Sequence, residues 1–213
     1  PPDADDEPAE GAPASLPLEI YASAERCELL KVVKWLRKGG LVNAFCSTTA
    51  AGGQPLTVTL LHAAAAFDQL EMVRELLKRG ASVDLPSSLG STTALTVAAG
   101  EGHLPTLLVL LQHSANPLKD VSGITALMRA AGSGHEACVQ ALLRAKAIAE
   151  QLLDNDGRNA LHWAEVMGHP ATAALLRQHA LCLSLGLSAA LCAALPPRTW
   201  SWVALSMVLG AIG

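Results

Sequence analysis

Residues 93–117 read TALTVAAGEGHLPTLLVLLQHSANP, and their layout decides the fold. Two apolar runs of helical period flank a short Gly-Glu-Gly-His break. Take Leu95 as an anchor. Thr93, two before it, is a residue type that caps a helix start. Ala98-Ala99 follow at three and four, small enough for a second helix to come close. Gly102-His103 follow at seven and eight, where a glycine suits a helix stop. Leu110-Leu111 follow at fifteen and sixteen, on the buried stripe of the next helix. The same layout recurs around Leu61, Leu127 and Leu161, so the anchors are 34, 32 and 34 residues apart. A period of about 33 means stacked supersecondary units.

The units align residue by residue. Capping residues precede each anchor at Thr59, Thr93, Thr125 and Asn159. Small pairs follow at Ala64-Ala65, Ala98-Ala99 and Ala130-Ala131. Gly-His recurs at 102–103, 134–135 and 168–169, and Leu-Leu at 76–77, 110–111 and 142–143. A degenerate first unit starts at Ile20, with Cys27-Glu28 at the Gly-His place, as terminal repeats often are. From Ile20 to Leu61 is 41 residues, so about eight extra fall in AFCSTTAAGGQP (44–55), expected as a flexible excursion. This pattern of T-x-L-H-x-A-A, G-H, L-L and G-A resembles the ankyrin-repeat family over residues 16–180. The resemblance implies an all-α fold. Helix–turn–helix units joined by β-turn fingers would stack into a curved solenoid, followed here by an apolar helical tail. The units fall at about 16–43, 57–85, 91–118, 123–150 and 157–180. DVSG (120–123) and NDGR (155–158) fit the fingers. The chain departs from the family at Leu60, Ala94, Ala126 and Ala160, where a proline would precede the anchor. It departs again at Lys146 in place of Gly, and at Arg177 in place of the second Leu.

The charge is −4 over 213 residues, but residues 1–19 carry six acidic groups and no Lys or Arg. The remainder is close to neutral. That excludes the basic stripe that nucleic-acid binding requires, so no nucleic-acid partner is expected. Residues 1–15, acidic and rich in Pro and Ala, are expected to be disordered. Lys31, Lys34, Arg37 and Lys38 spread along one helix as a solvated face. Five cysteines, an odd number without a CxxC pair, argue against a disulfide framework and a zinc knuckle. A reducing, cytoplasmic location fits. The chain starts without Met, which is read as processing or a fragment.

His162 and His169 lie seven residues apart in NALHWAEVMGHP (159–170) and invite a metal reading. The repeat answers it. His162 takes the place of His62, and His169 that of His103 and His135. The two are expected at opposite ends of one helix, about 10 Å apart, too far to share an ion. Buried polar groups need partners, and the family resemblance implies that such histidines bond between neighbouring repeats. They are expected to be scaffold, with no metal and no cofactor. Phosphate loops, HExxH and GxSxG are absent, so no enzyme activity is expected. Cys138 reads as a buried thiol and Trp163 as a packed core residue. The resemblance implies that partners bind the finger tips and the ends of the first helices, on the concave side. Those places hold Ala66 and Phe67, Gly100 and Glu101, Gly132 and Ser133, and Val166 and Met167. The fingers add Leu89, Thr92, Val121, Ile124, Asp156 and Arg158. A groove with Phe67, Ile124, Val166 and Met167 suits a helix or extended peptide of a partner protein. The alternative is that several of these residues only pack against adjoining fingers.

Residues 181–213 carry a single charge, Arg198. The first apolar run, 181–195, spans about 22 Å as a helix, short of a bilayer's roughly 30 Å. Extending it from Gln178 to Pro197 gives just enough length, and Trp200 and Trp202 flank Arg198 as interfacial anchors would. Membrane contact through 181–213 is expected, against the alternative of two helices capping the stack. The chain thus reads as a protein-binding scaffold, tethered to a membrane by its tail. It also reads as the cytosolic regulatory part of a larger membrane enzyme or channel, or as a soluble solenoid.

Overall fold

The computed structural model describes residues 15–49, 53, 55–88, 92–118, 123–145 and 152–184. Helices come in pairs along the chain. The first pair is α1 (Leu18–Glu25) and α2 (Leu29–Arg37). Then follow α3 (Leu60–Ala66) and α4 (Leu70–Lys78), α5 (Ala94–Glu101) and α6 (Leu104–Gln112), α7 (Ala126–Gly132) and α8 (Glu136–Ala145), and α9 (Ala160–Val166) and α10 (Pro170–Ser184). The first helices stack in the order α1, α3, α5, α7, α9 and form an inner layer. Among the second helices, α4, α6, α8 and α10 stack outside them.

The layering follows from side-chain size. Ala63 to Ala65, Ala98, Ala99, Ala130 and Ala131 are all buried, so neighbouring inner helices approach closely. Leu76, Leu110, Leu142 and Leu176 fill the space beneath the outer helices. Each such leucine contributes about 1.5–3 kcal/mol by burial. The expected caps are in place. Thr93 and Thr125 accept from Thr96 and Met128 backbone N–H, each at 3.3 Å, and Asn159 Oδ1 accepts from His162 N–H at 2.9 Å.

Each inner helix ends in a left-handed residue. Gly102, Gly134 and Gly168 take φ of 79°, 77° and 78°. In the first two units Cys27 (61°) and Asp68 (49°) hold the same conformation. Asp tolerates it better than most residues, and Asp68 Oδ1 also accepts from Thr106 Oγ1 at 2.9 Å.

The all-α expectation needs one correction. The excursion in 44–55 is in part a β-hairpin, β1 (Phe45–Thr49) and β2 (Pro55–Thr59), paired antiparallel from Phe45↔Thr59 to Thr49↔Pro55. Its strands are rich in β-branched Thr and Val, and Pro55 sits at a strand start, where no ladder N–H is needed. The hairpin is tied on both sides. Leu16 N–H donates to the Phe45 carbonyl at 2.7 Å, Thr57 N–H to Ser88 Oγ at 2.8 Å, and Ser88 N–H back to the Thr57 carbonyl at 3.2 Å.

Further corrections concern the downstream end. The repeat pattern places the helix end at Ala180, yet α10 runs on through Leu181–Ser184. Cys182 on its last turn is disulfide-bonded, whereas Cys27, Cys46 and Cys138 are free. The odd count and the missing CxxC pair argue against a disulfide framework, and they do not address a single bond. Among the described residues no helix is long and apolar enough to cross a membrane. The expectations for residues 1–14, Leu89, Val121, Lys146 and residues 185–213 lie outside the described residues.

Candidate partner-binding face

The inner face is held in register by side chains that reach from one repeat to its neighbour. His62 is buried, with Nδ1 2.9 Å from Thr59 Oγ1 and Nε2 3.0 Å from the Thr92 carbonyl of the next finger. Burial pushes its pKa down, against the pull of the Thr92 carbonyl, which favours the protonated ring. His103 Nε2 lies 3.0 Å from the Ala66 carbonyl, and His135 Nε2 2.9 Å from the Gly100 carbonyl. Gln69, at the same offset in its unit, donates its amide to the Ala24 carbonyl. These contacts satisfy carbonyls at the inner-helix ends, as buried polar groups require. His169 packs against the same turn of the preceding unit: a side-chain carbon at Gly134 would stand 2.5 Å from its Nδ1.

His162 and His169 do not share one helix, contrary to the expectation from their spacing. His162 is exposed on α9, and His169 follows the Met167-Gly168 turn, just ahead of α10. Among the described residues no three His, Cys, Asp or Glu side chains stand close enough to hold a metal. Cys138 is buried in α8.

Beyond these carbonyls, several side chains at the inner-helix ends are open to solvent. Phe67 is 49% exposed, Val166 65% and Met167 52%. Glu101, Ser133 and Asp156 are also exposed. Ile124 is half-buried and packs against the core. Arg158 is half-buried and occupied: its Nε pairs with Asp154 Oδ2 at 2.9 Å, its Nη2 with Asp156, and its guanidinium lies 4.7 Å above the Trp163 ring centre.

Asp154 organises that finger. Its Oδ1 accepts from Asp156 N–H at 3.0 Å and Arg158 N–H at 2.8 Å, and its Oδ2 from Trp163 Nε1 at 3.0 Å. Burial would raise its pKa. The hydrogen bonds from Arg158, Trp163 and Asp156 prevail and bring it down to about 2. Trp163, expected in the core, is half-buried and anchored through its indole N–H.

At the variable place between His and Ala-Ala of the motif, one inner-face residue escapes the sequence reading and another is assigned by it to the core. Arg129 is exposed on α7, and its stem covers the preceding helix: a side-chain carbon at Gly100 would stand 2.9 Å from Arg129 Cγ. On α9, Trp163 and Met167 cover Gly132 in the same manner, at 3.4 and 3.9 Å. The available signal is the offset of two from each anchor, shared by Ala63, Val97, Arg129 and Trp163.

The comparisons with known proteins agree with the repeat fold. Ankyrin repeats, in three copies, match residues 18–121 and 110–184. Mouse palmitoyltransferase ZDHHC13 is 31% identical over 116 residues, 52% of this chain and 18% of that protein. Human ankyrin repeat domain-containing protein 63 is 38% identical over 101 residues, 46% of this chain and 26% of that protein. The chicken nuclear factor NF-kappa-B p105 subunit is 34% identical over 110 residues, 50% of this chain and 11% of that protein. The aligned part is thus about a quarter or less of each relative.

Proposed function

The chain belongs to the ankyrin-repeat family, and from that premise we propose that it is a non-catalytic scaffold whose inner face binds a segment of a partner protein. One observation carries the reading. Phe67 stays exposed at the end of α3, where His103 of the next repeat engages the Ala66 carbonyl, and Val166 and Met167 stay exposed at the end of α9. Large apolar side chains held on a hydrogen-bonded helical frame favour binding, because little ordering entropy remains to be lost. The test compares proteins that co-purify with the full chain and with a Phe67→Asp/Met167→Asp variant of unchanged circular dichroism. Partners lost from the variant support the reading; an unchanged set removes it.

The sequence of residues 181–213 favours a second element, a membrane tether, since its one charge, Arg198, lies beside Trp200 and Trp202. In that arrangement the repeats sit on the cytosolic side, either as a tethered adaptor or as the regulatory part of a longer membrane protein. The match to part of a palmitoyltransferase is compatible with the repeats being one part of a longer enzyme. Flotation and alkaline extraction of the full chain test the tether. Retention with the vesicles supports it, and complete release leaves a capping role for the tail.

A further inference from the structure

The inner face carries one cation that no described residue neutralises. Ion pairs engage Arg26 and Lys31 with Glu28, Arg79 with Glu75, Arg158 with Asp154 and Asp156, and Arg177 with Glu165. Arg129 has no such partner among the described residues, although Glu101 is exposed on the neighbouring helix. Its stem is not free to wander, because Cγ rests on the bare backbone of Gly100. The guanidinium is therefore presented over α5 with part of its rotamer entropy already lost, which favours a carboxylate that arrives there.

Resting on the inner-face reading above, we infer that Arg129 is a specificity-determining contact: it receives an Asp or Glu carboxylate of the partner segment, whose flanking apolar residues seat on Phe67 and on Val166–Met167. The spacing follows from the fold. Neighbouring inner helices stand roughly 8–10 Å apart. Phe67 ends α3, Arg129 leans onto α5, and Met167 leans onto α7. The carboxylate site thus lies about one helix step from each apolar site. In an extended segment one step is about three residues. The preferred ligand is an acidic residue with apolar residues about three positions to either side. Glu101 beside the site repels a second carboxylate and restricts the ligand to a single acidic centre.

A random peptide library displayed on phage, panned on the full chain and on variants of unchanged thermal unfolding, tests this. The full chain is expected to enrich peptides with that acidic centre. Arg129→Glu is expected to enrich Lys or Arg there instead, and to bind a resynthesised wild-type peptide about tenfold or more weakly. Arg129→Lys should fall between, since it keeps the charge and loses the two-pronged geometry. Peptides without an acidic centre, or the same peptides from Arg129→Glu, overturn the role of Arg129. If Phe67→Asp/Met167→Asp still abolishes binding in that case, the inner-face reading survives. If neither variant matters, or nothing is enriched, both fall.

Discussion

Gly102 and Gly168 occupy the same turn in different repeats, which makes a controlled comparison. Both adopt positive φ, 79° and 78°. Alanine at either site costs about 1–2 kcal/mol for the left-handed conformation alone. Their surroundings differ. A Cβ at Gly168 meets nothing within 4 Å, whereas one at Gly102 would stand 2.6 Å from His135 Nδ1 and 2.7 Å from its Cε1. The ring has little freedom to retreat, because Nε2 is bonded to the Gly100 carbonyl at 2.9 Å. Moving it sacrifices that bond, about 1 kcal/mol. Gly102→Ala should therefore cost about 2–3 kcal/mol, and Gly168→Ala about 1–2, by urea unfolding. Gly80→Ala, with φ of 83° and open space around it, serves as a second control away from the chain end. Gly102→Ala/His135→Ala should cost less than the sum of its parts, since the clash vanishes with the ring. Equal costs at positions 102, 168 and 80, or strict additivity of the double variant, would refute the reasoning.

Leu110→Ala, at a fully buried site on α6, should lower stability by about 2–5 kcal/mol in the same assay. Leu108→Ala, at an exposed site on that helix, should cost clearly less; equal losses would contradict the layering. His62 titrates below its ordinary value because it is buried, so the unfolded chain takes up a proton first. Stability from this residue is complete above about pH 6.5 and declines as pH falls toward the lower folded pKa. His62→Thr, which copies Thr96 at the same place one repeat on, should flatten that slope in melts across the range. Asp154, brought down to about 2, contributes stability above its unfolded pKa near 4 and loses it as pH falls toward 2. Asp154→Asn should remove that acid-limb dependence, and an unchanged limb would show that its hydrogen bonds do not favour the ionised form.

The stacked layout was legible in the sequence because it depends on residue size and capping at fixed offsets: threonines ahead of the anchors, alanines between inner helices, leucines beneath outer ones. Other parts were hidden where a different residue does the same work. Asp68-Gln69 stands for Gly-His, with Asp accepting the left-handed turn and the Gln amide replacing the imidazole donor. A motif search sees a mismatch there, while the backbone sees the same turn. The hairpin was hidden because Gly52-Gly53 and Pro55 read as breakers, although the segments beside them favour strands. Arg129 gave no signal by itself, because its significance depends on Gly100 in the preceding repeat, 29 positions earlier in the chain. Trp163 reads by its size as core, without sight of the Asp154 carboxylate that receives its N–H.

The central claim, that the inner face is the binding face, is tested most directly by photo-crosslinking from two sites of similar exposure on opposite layers. Phe67, at the end of α3, is 49% exposed, and Leu108, on the outer helix α6, is 43% exposed. A photoreactive residue is placed at each position of the full chain in cells, and the adducts are compared after irradiation. A discrete protein adduct from position 67 and none from position 108 is the predicted result. Equal adducts from both positions, or an adduct from position 108 alone, would contradict the account.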